Sequence, residues 1–175
     1  MAIVFRRAGT YLVTGKAAVK GLVYAAAGTG KTWLCAKSPN PVIILTEKNG
    51  ITSVAHSNPD AIVIEVTSAE ELWEVLIDAK DSALTLHDED GKEVVITFET
   101  LVIDSLTEAH RLLKDRILRK ANRDTFLLGD WNVLMTHMTR LVRLIRDLPC
   151  HVICTALMEY QMEDATGTRH VQPSF

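Results

Sequence analysis

Residues 21–32 contain the feature that most constrains this chain, a short apolar run followed by small residues and a Gly-Lys-Thr triplet. Residues 22–25 have the length and composition of a buried strand, and a helix-forming run over residues 30–37 follows. A strand, a glycine-rich turn and a helix, with lysine and threonine at the junction, form the P-loop arrangement. A glycine-rich turn before an ordinary helix is the alternative, but it does not explain why all three parts occur together. The sequence therefore predicts a loop that binds nucleotide phosphates.

The small residues of this segment suit close contact with phosphate groups. Glycine reaches backbone angles that other residues avoid, so the loop can turn its N–H groups inward, and the helix offers its positive end to anions. We expect Lys31 to contact the β- and γ-phosphates of ATP and the Thr32 hydroxyl to bind Mg²⁺. Ala25 stands where the motif has its first glycine, and we expect some strain there. The predicted nucleotide-binding residues are Ala26, Ala27, Gly28, Thr29, Gly30, Lys31, Thr32 and Trp33.

The composition fits one soluble globular domain that spans residues 1–175. The chain is 47% hydrophobic and 23% charged, and no apolar run approaches the roughly 20 residues that a membrane-spanning helix needs. The N-terminal segment has no long apolar region with a cleavage site, so we predict neither a secretory signal nor a membrane partner. Cys35, Cys150 and Cys154 form no paired framework, and reduced thiols in the cytoplasm are the simplest interpretation.

Charge is distributed unevenly along the chain, although the net charge is only −3. Residues 1–46 hold six basic and no acidic side chains, and residues 47–104 hold three basic and 14 acidic ones. Residues 105–147 hold nine basic and five acidic side chains. A basic face of this kind suits nucleic acid or nucleotide. Solvated helix faces are the alternative, and we prefer that interpretation for the acidic segment.

Two further predicted strands end in carboxylates. Residues 42–46 form an apolar run typical of a parallel strand buried on both faces, and Glu47 follows directly. Because ligands bind at the carboxyl ends of strands in open α/β sheets, Glu47 is either a general base that orients water or a solvated turn glutamate. Residues 101–103 run straight into Asp104, a Walker B arrangement that brings a carboxylate to Mg²⁺.

The rest of the chain predicts an α/β fold with a mostly parallel central sheet, helices on both faces and an antiparallel hairpin at the sheet edge. Apolar periodicity indicates two long helices, over residues 106–122 and 131–148. The apolar positions are Leu106, Ala109, Leu113 and Ile117 in the first helix and Trp131, Leu134, Met135, Met138, Leu141, Val142, Ile145 and Leu148 in the second. A late strand places Thr155 where it could sense the γ-phosphate. The other predicted elements are strands at 10–14, 61–66, 83–87, 94–98, 151–156, 158–163 and 169–172, and a helix capped by Ser68.

With these motifs placed, the chain resembles RecA-type P-loop ATPases, and more narrowly the phage-encoded nucleotide-binding proteins of the RecA-like single-strand annealing group. The resemblance covers roughly residues 20–173 and rests on the motifs at 25–32, 46–47, 101–105, 130–131 and 151–156. It implies a three-layer RecA-like fold and Mg²⁺-dependent ATP hydrolysis, with Glu47 as the catalytic base and Lys31 on the phosphates. It also implies a role in phage DNA recombination or annealing. The expected partner is single-stranded DNA, the expected assembly a homo-oligomer and the expected location the host cytoplasm.

Departures from this group leave two other functions open. Ala25 replaces the first P-loop glycine, and Leu157 stands where relatives often carry a polar sensor residue just past the strand. The chain also ends at Phe175, before the last strands expected of the group, which is typical of a truncated member. A non-catalytic nucleotide-binding subunit would bind ATP without turnover. A P-loop kinase for a small metabolite would need arginines in a lid, and those of residues 111–123 are the candidates.

Overall fold

The computed structural model describes residues 18–47, 50–87, 90–162 and 169–174. A central sheet, a two-stranded ribbon and five α-helices make up this part of the chain, and the strand predicted at 10–14 lies outside it. The strands are β1 (Lys20–Ala25), β2 (Pro41–Leu45), β3 (Ile62–Glu65), β4 (Ala83–His87), β5 (Glu93–Thr97), β6 (Thr100–Asp104), β7 (His151–Met162) and β8 (Arg169–Pro173). The helices are α1 (Lys31–Cys35), α2 (Ile51–Ser57), α3 (Ala69–Asp78), α4 (Leu106–Ala121) and α5 (Leu128–Asp147), with a 3₁₀ turn at Ala79–Asp81.

The central sheet is mostly parallel, which confirms the predicted fold class. Its strand order is β1-β7-β6-β2-β3, and β8 joins by antiparallel pairing with β7. Neighbouring strands along the main path are all parallel, so their carboxyl ends meet at one edge of the sheet. β7 separates the P-loop strand β1 from β6, the strand that carries Asp104. The edge therefore gathers the ends of β1, β7, β6 and β2, which are far apart in sequence.

Alternating side chains of β2 face two separate cores. Val42 and Ile44 belong to the larger hydrophobic cluster, which includes α3, α4 and α5. Ile43 and Leu45 belong to a smaller cluster with α1 and α2. All four side chains are at most 1% exposed, and burial on both faces explains why this strand is continuously apolar. Helices therefore cover both faces of the sheet, as predicted.

The two long helices each bury one apolar stripe. α5 begins at Leu128 and not at residue 131, because the Asp130 carboxylate accepts a hydrogen bond from the Leu127 N–H at 2.8 Å and caps the first turn. No helix in the described ranges is long and apolar enough to cross a membrane. The buried apolar stripe of α4 consists of the four predicted side chains, Leu106, Ala109, Leu113 and Ile117, and Thr107 is buried beside it.

The hairpin predicted over residues 83–98 is present as β4 and β5. Within the described chain its strands pair with each other alone and form a separate two-stranded sheet. Leu84 and Phe98 are buried in the larger core. The hairpin therefore packs on the α3, α4 and α5 side of the molecule and does not extend the edge of the central sheet.

β7 is longer than the sequence suggests. The strands predicted at 151–156 and 158–163 form one continuous strand, because β8 supplies hydrogen-bond partners to residues 158–162. Leu157, expected just past the strand, lies inside it and opposite Ala25. β7 therefore continues beyond the edge at which β1 and β6 end.

Candidate functional site

The loop between β1 and α1 has the backbone that its glycines make possible. Gly28 and Gly30 have φ values of +76° and +86°, a region that side chains disfavour and glycine tolerates. Open space surrounds both positions, so backbone conformation and not crowding selects glycine. Ala25, in contrast, is the last residue of β1 and pairs with Leu157 in the parallel ladder. The strain expected at Ala25 is absent, because alanine fits a regular strand.

The Lys31 ammonium group lies against the loop. Its Nζ donates to the carbonyl oxygens of Ala25 at 3.0 Å and Ala26 at 2.9 Å. The Thr29 hydroxyl also donates to the Ala26 carbonyl, at 2.9 Å. The ammonium group is therefore held on the same turn as the backbone N–H groups that open α1. A cation and free N–H groups on one turn fit the predicted phosphate-binding role.

The P-loop helix α1 is shorter than the predicted helix over residues 30–37. It ends at Cys35, and the turn that follows places the Lys37 ammonium group 3.9 Å from the centre of the Trp33 ring. The Trp33 side chain is 45% exposed. What Trp33 offers a phosphate is its backbone N–H, because the first N–H groups of a helix have no partner within it. The same holds for the N–H groups of Lys31 and Thr32.

The Asp104 carboxylate joins the P-loop helix to β7. Thr32 Oγ1 donates to Asp104 Oδ2 at 2.6 Å, and Thr155 Oγ1 donates to Asp104 Oδ1. Asp104 is 8% exposed, and Thr155 is fully buried. The structure thus brings together Thr32 and Asp104, the two predicted magnesium ligands, across 72 positions of sequence. Thr155 is the candidate γ-phosphate sensor, but in this structure its hydroxyl group donates to Asp104 and not toward the P-loop.

The oxygen atoms of Thr32 and Asp104 fit a magnesium site. Mg²⁺ prefers oxygen ligands and is commonly held by one or two carboxylates together with phosphate oxygens. The two oxygens lie 2.6 Å apart, so one ion can contact both. The described residues contain no cluster of three or more His, Cys, Asp or Glu side chains. A cation between Thr32 and Asp104 would therefore take its other ligands from the nucleotide and from water.

Glu47 lies at the same edge of the sheet, next to the end of β6. Ser105 Oγ donates to Glu47 Oε1 at 3.3 Å. The Thr46 N–H donates to the Asp104 carbonyl at 2.9 Å, so the ends of β2 and β6 are joined directly. The Glu47 side chain is exposed, and water can reach its carboxylate. The predicted base and the predicted magnesium ligand therefore occupy adjacent strand ends.

Sequence reasoning missed two hydroxyl side chains at this edge. Ser105 Oγ accepts a hydrogen bond from the Glu108 N–H at 3.3 Å and caps α4, and its Ser-x-x-Glu spacing is the signal that could have predicted the cap. Thr107 Oγ1 accepts from the Leu157 N–H at 3.0 Å and donates to the Ser174 carbonyl at 2.7 Å. No local pattern marks the Thr107 contacts, because both partners come from distant segments of the chain. Thr107 therefore joins β7 and the residue after β8 to the first turn of α4.

The arginines considered for a kinase lid form ion pairs with acidic side chains of the helices. A groove of about 1180 Å³, formed by α3, β4, α4 and α5, includes none of the predicted site residues. Within the described residues, all four arginines considered for the lid form ion pairs, and the groove includes no P-loop residue. The ion pairs are Arg111 with Glu108, Arg116 and Arg119 with Glu70, and Arg123 with Asp130.

A mostly parallel sheet with a P-loop, and a hydroxyl and a carboxylate that fit Mg²⁺ at its carboxyl edge, defines a P-loop nucleotide-binding protein of the α/β class. A family model described as an AAA domain matches residues 17–173. The chain therefore belongs to this family of AAA-type P-loop ATPase domains, and nucleotide binding is the function that the family supports. A search of curated proteins found no match.

Proposed function

We propose that this chain binds ATP and hydrolyses it with Mg²⁺. The observation that carries the proposal is the hydrogen bond of 2.6 Å between Thr32 Oγ1 and Asp104 Oδ2, which joins the P-loop helix to the end of β6. Glu47 on the neighbouring strand end adds a carboxylate that water can reach. A phosphate-binding loop, two oxygen ligands for a cation and a candidate base are the groups that phosphoryl transfer to water requires.

Each group has one role in the proposed reaction. The N–H groups of residues 26–33 and the Lys31 ammonium group bind the phosphates and neutralise their charge. Thr32 and Asp104 hold Mg²⁺, which supplies further positive charge when bound. Glu47 accepts a proton from the attacking water, whose oxygen bonds to the γ-phosphorus. The bond from that phosphorus to the β,γ-bridging oxygen breaks, and ADP and phosphate leave. Positioning and charge neutralisation account for most of the rate increase.

The geometry around Ala25 removes one reason to expect a non-catalytic subunit. Ala25 was one reason to consider a subunit that binds ATP without turnover. Because this residue continues a regular strand, its replacement of glycine leaves the turn of Gly28 and Gly30 intact. The loop that should bind phosphate therefore does not depend on a glycine at position 25.

We propose further that the chain acts on single-stranded DNA as a homo-oligomer, in phage recombination or annealing in the host cytoplasm. The resemblance of its motifs to the RecA-like annealing group supports this role. Arg140 and Arg143 on α5 offer a second argument, because neither makes a hydrogen bond or an ion pair within the described part of the chain. Unpaired arginines on one helix suit contact with a phosphate backbone.

Calorimetric titration with ATP and Mg²⁺ tests the nucleotide site. We expect Lys31→Ala to weaken ATP binding at least about tenfold, because the variant loses a cation that forms charge-assisted hydrogen bonds. The matched control is Lys37→Ala, which removes a lysine that lies over the Trp33 ring and should bind ATP like the wild type. Equal affinity in Lys31→Ala and the wild type would reject the P-loop as the ATP site.

Binding of a labelled single-stranded oligonucleotide over a series of salt concentrations tests the DNA role. Each lost phosphate contact lowers the slope of log affinity against log salt by about 0.7. We therefore expect the double variant Arg140→Ala, Arg143→Ala to bind more weakly and with a shallower slope. Arg146→Ala is the control, since Arg146 pairs with Asp147. Absence of oligonucleotide binding by the wild type at low salt contradicts the DNA role.

A further inference from the structure

We propose that Ser105 is a positioning residue for Glu47, and this inference rests on the proposed function of ATP hydrolysis. Ser105 follows Asp104 directly and is 4% exposed. Its hydroxyl group lies between the first turn of α4 and the Glu47 carboxylate. The residue therefore connects a rigid helix end to the side chain assigned as the base.

The direction of the hydrogen bonds fixes the role of the Ser105 hydroxyl. A serine hydroxyl has one proton to donate and two lone pairs that accept. A lone pair of Ser105 Oγ accepts the Glu108 N–H at 3.3 Å, which is the cap of α4. The proton remains for Glu47 Oε1, also at 3.3 Å. Capping thus orients the proton of Ser105 toward Glu47.

The backbone of Ser105 is fixed from both sides by Thr46, the residue before Glu47. Thr46 Oγ1 accepts the Ser105 N–H at 2.8 Å and donates to the Ser105 carbonyl at 3.2 Å. The Thr46 N–H donates to the Asp104 carbonyl at 2.9 Å. Three hydrogen bonds therefore hold the end of β2 against the end of β6. The backbones of Ser105 and Glu47 are thus fixed relative to each other.

The Glu47 carboxylate has few other partners among the residues that the structure describes. Within the described residues, the bond from Ser105 is the one side-chain hydrogen bond of Glu47, and Glu47 forms no ion pair. An exposed glutamate without a partner samples several rotamers. With Oε1 bound to Ser105, Oε2 remains free to accept a hydrogen bond from an attacking water. Ser105 thereby raises the fraction of Glu47 in one orientation, and turnover depends on that fraction.

Steady-state hydrolysis of ATP by matched variants tests this role. Ser105→Ala should lower kcat by about tenfold to a hundredfold, while KM and the Kd for ATP stay within about twofold of the wild type. Ser105→Thr keeps the hydroxyl and the cap and should restore most of kcat. Ser68→Ala removes the equivalent cap of α3, whose hydroxyl accepts from the Glu71 N–H and does not contact Glu47, and should leave kcat unchanged despite a similar loss of stability. A raised KM with unchanged kcat in Ser105→Ala would overturn the positioning role. Failure of Ser105→Thr to restore kcat would do the same.

Single-turnover measurements in the Glu47→Gln background separate this role from a structural one. If Ser105 acts through Glu47, adding Ser105→Ala to Glu47→Gln changes the residual rate by less than about twofold, because the orientation of the lost base no longer matters. A further loss equal to that in the wild-type background would overturn the proposal. Absence of turnover in the wild type would overturn the proposed function, and the role of Ser105 with it. Full turnover in Ser105→Ala would overturn the role of Ser105 alone.

Discussion

Burial raises the pKa of the three described cysteine thiols, to about 12 at Cys154 and to about 11 at Cys35. At Cys154 burial in β7 is the main cause, and the nearby Cys35 adds to it. At Cys35 burial again comes first, the charge of Asp104 raises the pKa further, and Lys31 opposes both. The folded protein therefore keeps these thiols protonated, and they act as small apolar core residues.

The raised pKa values predict a loss of stability at alkaline pH. An unfolded thiol ionises near pH 9.0, whereas folding holds the proton of Cys154 up to about 12. The contribution of Cys154 to the free energy of unfolding is complete below pH 9. It is lost as pH rises from 9 toward 12, because in this range the unfolded state binds fewer protons than the folded state. Cys154 lowers the free energy of unfolding by up to about 1.4 kcal/mol per pH unit in this window, and Cys35 adds to the loss between pH 9 and about 11. Urea unfolding at a series of pH values measures the effect.

The control for this prediction is Cys154→Ala. The variant removes one titrating group, so its free energy of unfolding should fall less steeply than that of the wild type above pH 9. Equal slopes in the two proteins would show that Cys154 does not bind its proton more tightly when folded.

At the scale of elements, α5 shows how far periodicity alone predicts packing. Its apolar positions follow the helical period, but only some of these side chains are buried in the core. Trp131, Met135 and Val142 are 48%, 61% and 54% exposed. The period identifies the apolar face of a helix but not which flank of it meets the core, because that depends on how α3, α4 and the sheet pack. The four buried apolar positions over residues 128–148 are Leu134, Leu141, Ile145 and Leu148.

Two adjacent residues of α5 test this distinction. Leu141 is fully buried, and Leu141→Ala should lower the free energy of unfolding by about 2 to 5 kcal/mol, because it leaves a cavity in the larger core. Val142→Ala should change it by no more than about 0.5 kcal/mol, because that residue is more than half exposed in the folded state. Chemical denaturation of both variants makes the comparison. A large cost at Val142 would mean that another surface covers this flank.

At the scale of the whole molecule, the sequence predicted the elements that carry local patterns. The P-loop, the strand ending at Asp104 and the buried stripe of α4 each depend on residues close together in the chain. The order of the strands could not be predicted this way, since Ala25 pairs with Leu157 and Asp104 lies beside Leu45. The separate hairpin and the contact between Ser105 and Glu47 depend on the same long-range packing. The sequence therefore identified the candidate residues at the strand ends, and their roles remain predictions, whereas the contacts through Ser105 and Thr155 required the structure.

From this arrangement we expect above all that Glu47 acts as the base in hydrolysis of ATP bound at the P-loop. Glu47→Gln keeps the size of the side chain and one acceptor oxygen for Ser105, but the amide cannot take a proton from water. Binding of ATP should therefore persist in this variant, because Lys31, Thr32 and Asp104 remain in place.

The most direct measurement is Mg²⁺-dependent release of phosphate from ATP by the wild type and by Glu47→Gln, with and without single-stranded DNA, beside ATP binding by both proteins. We predict turnover in the wild type that increases with DNA. In Glu47→Gln we predict a loss of turnover of about a hundredfold or more, at unchanged ATP affinity. ATP binding without turnover in the wild type, or equal turnover in the two proteins, would contradict the assignment of Glu47.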